Sequence, residues 1–142
     1  MNVATINQLR MSTDNDATQV QGFGGNSATI NQNDDSTNNT ATQTQDSGSS
    51  NVALIDQNDF SELNAATQTQ TGGSNNATIN QNGNTLNNTA AQEQMGNGHT
   101  ATILQDNSAV DNNASQMQTT SGNTSTITQT GASNALATVV QN

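Results

Sequence analysis

The chain is predicted to fold as an all-β solenoid, with two strands in each coil of about 24 residues and about six coils stacked in register. Three observations predict this: a seven-residue unit that recurs twelve times, a strict alternation of fixed and variable positions inside that unit, and a composition unsuited to a conventional core. Of the 142 residues, 28% are hydrophobic, 1% aromatic and 8% charged, and Cys, Pro, Trp and Tyr are absent. Instead 25 Asn, 17 Gln and 23 Thr supply 65 residues. These types bury little apolar surface, and without a pattern they signal disorder or an aggregation-prone tract. Here they are patterned throughout.

The unit reads Asn-x-Ala-Thr-x-x-Gln. Its copies begin at Asn2, Asn15, Asn26, Asn39, Asn51, Asn64, Asn75, Asn88, His99, Asn112, Asn123 and, in drifted form, Ala135. They end at Gln8, Gln21, Gln32, Gln45, Gln57, Gln70, Gln81, Gln94, Gln105, Gln118, Gln129 and Gln141. The fifth position separates two kinds of arm. Odd arms carry Ile6, Ile30, Ile55, Ile79, Ile103 and Ile127 there, and even arms carry Gln19, Gln43, Gln68, Gln92 and Gln116, with Val139 in the last. Connections alternate as well, six residues usually following an odd arm and four or five an even one. One period therefore holds two arms, and the odd-arm terminal glutamines repeat every 24 residues with a single interval of 25. Six periods fill residues 1–142 as one repeat domain, without a linker or second domain.

Each arm reads as a strand because its fixed positions, 1, 3, 5 and 7, alternate with variable ones, and a period of two puts the two sets on opposite faces. All six Ile and all seventeen Gln occupy position 5 or 7, and no Asp, Glu or Arg occupies a fixed position, so the fixed face points inward. Gly and Ser fill connections such as Gly22-Phe23-Gly24-Gly25, where tight turns need positive φ. A helix is excluded, because the apolar positions lack i, i+3, i+4 spacing.

One inward Ile per coil contributes only about 1.5–3 kcal/mol, against an ordering cost of about 1–2 kcal/mol per residue. Register stacking supplies a second term, placing each inward Asn and Gln over its copies in an amide ladder. A ladder satisfies its members only in the middle, and unpaired buried amides are costly at its ends. The first arm keeps Asn2, Ala4, Ile6 and Gln8, the last keeps Ala135, Ala137, Val139 and Gln141, and neither carries Pro or charge. These residues are the expected subunit–subunit surfaces of a head-to-tail homopolymer.

Composition removes other classes. Without Cys and with one His there is no disulfide, thiolate site or multi-His centre, so no catalytic residue, metal or cofactor is expected and the chain is not read as an enzyme. One Arg against eleven Asp and Glu gives a net charge of −10, which opposes nucleic acid and anionic membranes as partners. No apolar run nears the roughly 20 residues of a membrane span, and no basic-then-apolar leader is present, which is expected of an already processed chain. Asp34 and Asp35 adjoin in a connection but lack the Gly-Gly-x-Gly-x-Asp pattern of calcium-binding solenoids. The carboxylates are expected to act as gatekeepers that slow premature association by like-charge repulsion.

The arms and links resemble the curlin repeat of bacterial curli fibres, in which a strand Ser-x5-Gln, a link x-Gly-x-x and a strand Asn-x-Ala-x3-Gln form one coil. Thr71-Gly72-Gly73-Ser74 and Met95-Gly96-Asn97-Gly98 match the link, and Asn26-Ser27-Ala28-Thr29-Ile30-Asn31-Gln32 matches the second strand. Phased this way, five full repeats occupy residues 15–129, with a half repeat at each end. The chain departs in placing Asn for Ser at the first position of even arms and in lacking the link glycine in Thr119-Thr120-Ser121-Gly122. The resemblance implies an extracellular functional amyloid at the cell surface, exported unfolded by a dedicated secretion system, started by a nucleator subunit, and used in biofilm matrix and adhesion. The alternative is a monomeric solenoid that binds ice or acts as an adhesin. Outward threonines such as Thr40, Thr42 and Thr44 suit ice binding, but Val52, Leu54 and Asp56 break the array.

Overall fold

A computed structural model describes residues 1–142. Twelve strands follow in order: β1 (Val3–Asn7), β2 (Asp16–Gln21), β3 (Ser27–Asn31), β4 (Thr40–Gln45), β5 (Val52–Asp56), β6 (Ala65–Thr71), β7 (Asn76–Asn80), β8 (Thr89–Met95), β9 (Thr100–Asp106), β10 (Asn113–Gln118), β11 (Thr124–Thr130) and β12 (Leu136–Gln141). The odd strands form one six-stranded parallel sheet and the even strands a second. Each coil gives one strand to each sheet, which makes the chain an all-β solenoid of six coils.

Identical inward residues stack. Ile6 pairs with Ile30, Ile30 with Ile55, Ile55 with Ile79, Ile79 with Ile103 and Ile103 with Ile127. The interval of 25 is absorbed in the link between Gln45 and Asn51, and strand register is unchanged on either side of it. Between the sheets, the buried isoleucines pack on the alanines of the facing strands, in a cluster of Ile30, Ala41, Ile55, Ala66, Ile79, Ala90, Ile103, Ala114 and Ile127. Because the chain reverses within each coil, position 5 of one arm faces position 3 of the next. A long Ile at position 5 therefore meets the small Ala at position 3 of the facing arm, which keeps the interior thin.

The long connections are ordered too. Thr13, Thr37, Glu62, Leu86, Val110 and Ser133 form a column of parallel bridges, and beside them Ser36, Ser61, Thr85 and Ala109 are buried. The chain enters each even arm through one left-handed residue, Asp14, Asn38, Leu63, Asn87, Asp111 or Asn134, with φ between 53 and 56°. In the short links the coils nearly touch: a Cβ on Gly48 or Gly72, where φ is 107 and 105°, would lie 1.8 or 1.9 Å from the carbonyl oxygen of the next glycine in the stack. Only glycine permits that approach.

Candidate functional site: the amide ladders and the two end coils

Three glutamine columns run along the solenoid, two through all six coils and one through five. In the first, the Nε2 of Gln8, Gln32, Gln57, Gln81 and Gln105 each donates to the Oε1 one coil further on, ending at Gln129, at 2.7 to 2.9 Å. The second runs from Gln19 through Gln43, Gln68 and Gln92 to Gln116 at 2.9 to 3.0 Å. The third runs from Gln21 through Gln45, Gln70, Gln94 and Gln118 to Gln141 at 2.8 to 3.0 Å. Every amide points the same way. The second bond of each nitrogen fixes that direction, since Gln19 Nε2 also donates to Thr5 O at 2.9 Å, Gln45 Nε2 to Ser27 O at 3.0 Å and Gln81 Nε2 to Asn88 O at 3.2 Å. Flipping one amide would set oxygen against a backbone carbonyl and break the column on both sides.

The asparagine columns run differently. The backbone N–H of each first-position residue donates to the Oδ1 of the one before it, from Asn26 to Asn2, Asn51 to Asn26, Asn75 to Asn51 and His99 to Asn75 at 2.9 to 3.1 Å. Even arms repeat this with Asn15, Asn39, Asn64, Asn88, Asn112 and finally the Ala135 N–H, at 2.7 to 2.9 Å. His99 is fully buried in this column. Its Nδ1 takes the place of an asparagine oxygen, accepting from the Asn123 N–H at 3.3 Å, while Nε2 lies 3.1 Å from Met95 O.

Two sets of ladder partners went unread in the sequence. The side-chain amides of Asn39 and Asn64 donate to the backbone and hydroxyl oxygens of Ser61 and Thr85, and that of Asn88 to Ala109 O, tying the even column to the buried small residues of the long connections. A half-buried column of Asn33, Asn58 and Asn82 follows the odd-arm glutamines, each oxygen accepting a backbone N–H from the preceding coil at 2.6 to 2.7 Å. An Asn directly after Gln32, Gln57 and Gln81 was the available signal for the second set.

The end coils differ from the interior. Ile30, Ile55, Ile79 and Ile103 are fully buried, whereas Ile6 is 44% exposed; Ala4 and Gln8 are exposed, and Asn2, Asn15 and Gln21 half-buried. Gln19 Oε1 is shielded from solvent and has no hydrogen-bond partner. Main-chain direction follows from two bonds, Val3 N–H to Asn26 O and Gln32 N–H to Asn7 O, both 2.8 Å. Outward residues thus bond toward the following coil and inward residues toward the preceding one. In the first coil this leaves the main-chain groups of Ala4, Ile6, Ala17 and Gln19 facing away from the stack, and in the last coil those of Thr126 and Thr138. At that other end Ile127 is 5% exposed, and Asn123, Ala135, Ala137, Val139 and Gln141 are half-buried.

No carboxylate is buried, so the acidic groups cover the outward faces and connections. The single cation, Arg10, meets Asp34 at 3.0 Å with both side chains exposed, a pair that contributes little to stability. No protein-family model, curated protein or solved structure matches the chain.

Proposed function

We propose that this chain is the structural subunit of a curlin-type fibre, in which copies stack head to tail and each adds six coils to one continuous parallel solenoid. One observation carries the reading: all three glutamine columns point the same way, so the first coil presents amide oxygens at Gln8, Gln19 and Gln21 and the last presents amide nitrogens at Gln129 and Gln141. Two ends of one molecule are then complementary, and a contact between unlike ends repeats without closure. The exposed part of Ile6, buried under Ile127 of a second copy, adds about 1 kcal/mol. Removing ladder ends supports the folded state by mass action. An extracellular, cell-surface location, a nucleator subunit, a dedicated secretion system, and a role in biofilm matrix and adhesion belong to the same reading through the curlin resemblance of residues 26–32 and 71–74.

The test is to hold purified protein at rest and follow it by electron microscopy and seeded growth. Unbranched fibres that seed fresh protein are expected. A chain that stays monomeric through prolonged incubation at high concentration would overturn the reading, and a folded monomer that restrains ice growth would favour the other solenoid class.

A further inference from the structure

The two end surfaces do not match everywhere. Docking the last coil of one copy on the first coil of the next, in the register that relates successive coils, aligns five ladder columns. Three continue. Gln129 and Gln141 bring amide nitrogens to Gln8 and Gln21, and Asn123 brings its oxygen to the Asn2 N–H. Two stop, because Ala135 stands where the Asn15 N–H needs an acceptor and Val139 stands where Gln19 Oε1 needs a donor. β12 is the one even arm that lacks both ladder groups.

From this we infer that the joint between copies has a single polarity and is incomplete by construction, with Val139 and Ala135 setting its strength. The inference rests on the end-to-end stacking proposed above and specifies the contact. Gln19 Oε1 is the observation that carries it. Solvent does not reach this oxygen and no protein group pairs with it. Its register mates Gln43, Gln68, Gln92 and Gln116 each accept an amide from the preceding coil, so a ladder amide is the group that fits there. The chain's own last coil offers a methyl instead. Each joint therefore leaves an unpaired acceptor in an inward glutamine column, which no interior coil contact does, since the other unpartnered buried oxygen, Asn80 Oδ1, lies on the outward side of β7 and outside the ladders; this makes joints the planes where a fibre breaks and where subunits leave. Opposite polarity fails outright, since it sets oxygen against oxygen at the Gln8 and Gln21 columns.

A double-mutant cycle tests the joint, because Val139 and Gln19 lie at opposite ends of one molecule and couple only between molecules. Val139→Gln is expected to lower the residual monomer in equilibrium with fibres by about tenfold, the effect of one recovered buried hydrogen bond. In the Gln19→Met background the same change should have less than about a twofold effect. Val140→Gln, on the outward face of the same strand, should leave residual monomer unchanged, while Ala135→Asn should lower it through Asn15. Additive effects of Val139→Gln and Gln19→Met in protein that forms fibres would overturn the joint and leave end-to-end stacking in place. Absence of fibres from the unsubstituted chain would overturn stacking, and the joint with it.

Discussion

Replacing Gln81 by alanine removes the middle of a buried column, and the structure gives the size of the loss. The Gln81 amide accepts from Gln57 Nε2 and donates to Gln105 Oε1, each at 2.8 Å, and makes longer bonds to Ala65 O and Asn88 O at 3.4 and 3.2 Å. Without it, Gln105 Oε1 has no donor in a site closed to water. Gln57 Nε2 keeps only its 3.3 Å bonds to Thr40 O and Asn64 O. An orphaned buried acceptor costs about 1–3 kcal/mol, and the half-satisfied donor rather less. The vacated volume adds about 1 kcal/mol. The expected loss is therefore about 3–5 kcal/mol, a large part of the roughly 5–15 kcal/mol that holds a domain folded. Thr78 sits on the opposite face of the same arm, half exposed, with no side-chain hydrogen bond. Thr78→Ala should cost less than about 1 kcal/mol. Guanidinium titration of assembled protein, read as the midpoint of depolymerisation, separates the two. Equal losses from Gln81→Ala and Thr78→Ala would refute the ladder as a source of stability.

Leu63 occupies the left-handed corner that its register mates fill with Asn or Asp, a conformation that costs a branched side chain about 1–2 kcal/mol; Leu63→Asn should raise the unfolding midpoint, and no rise would mean that the corner is unstrained. Ile6→Pro and Thr138→Pro remove main-chain donors that face away from the stack at opposite ends, so each variant should fold yet cap growth from unsubstituted seeds at substoichiometric ratios; normal elongation with both would point to lateral joining. Net charge is −10 at pH 7 with a pI of about 4.1, so repulsion between copies falls as pH drops toward that value, and acid or added salt should shorten the lag before fibres appear. A lag insensitive to both treatments would leave the carboxylates no gatekeeping role.

Residue identity alone carried the strand count, the register and the inward face, because in a parallel stack each residue's chief neighbour is its own copy one period away. Gln32, Gln57 and Gln81 announce their column by repeating. Where positions share only a property, the signal is lost: Ser36, Ser61, Thr85 and Ala109 are alike in smallness, so the third buried column passed for loop. Amide direction was hidden for another reason. Glutamine holds donor and acceptor together, and its orientation comes from facing carbonyls such as Thr5 O, which the sequence does not mark. The link without its first glycine is another case. Gly122 takes the left-handed position held by Ser50, Ser74 and Gly98 in the links before it, at φ 75°, but Thr120, in the place of Gly48, Gly72 and Gly96, is not left-handed, so this link turns with one such residue where those links use two.

Oriented fibre diffraction tests most directly whether copies prolong one solenoid. Assembled protein is expected to give a sharp meridional reflection at about 4.8 Å from coil stacking along the fibre, with an equatorial reflection near 10 Å. Fibres whose 4.8 Å reflection lies on the equator, or is missing, would contradict end-to-end stacking.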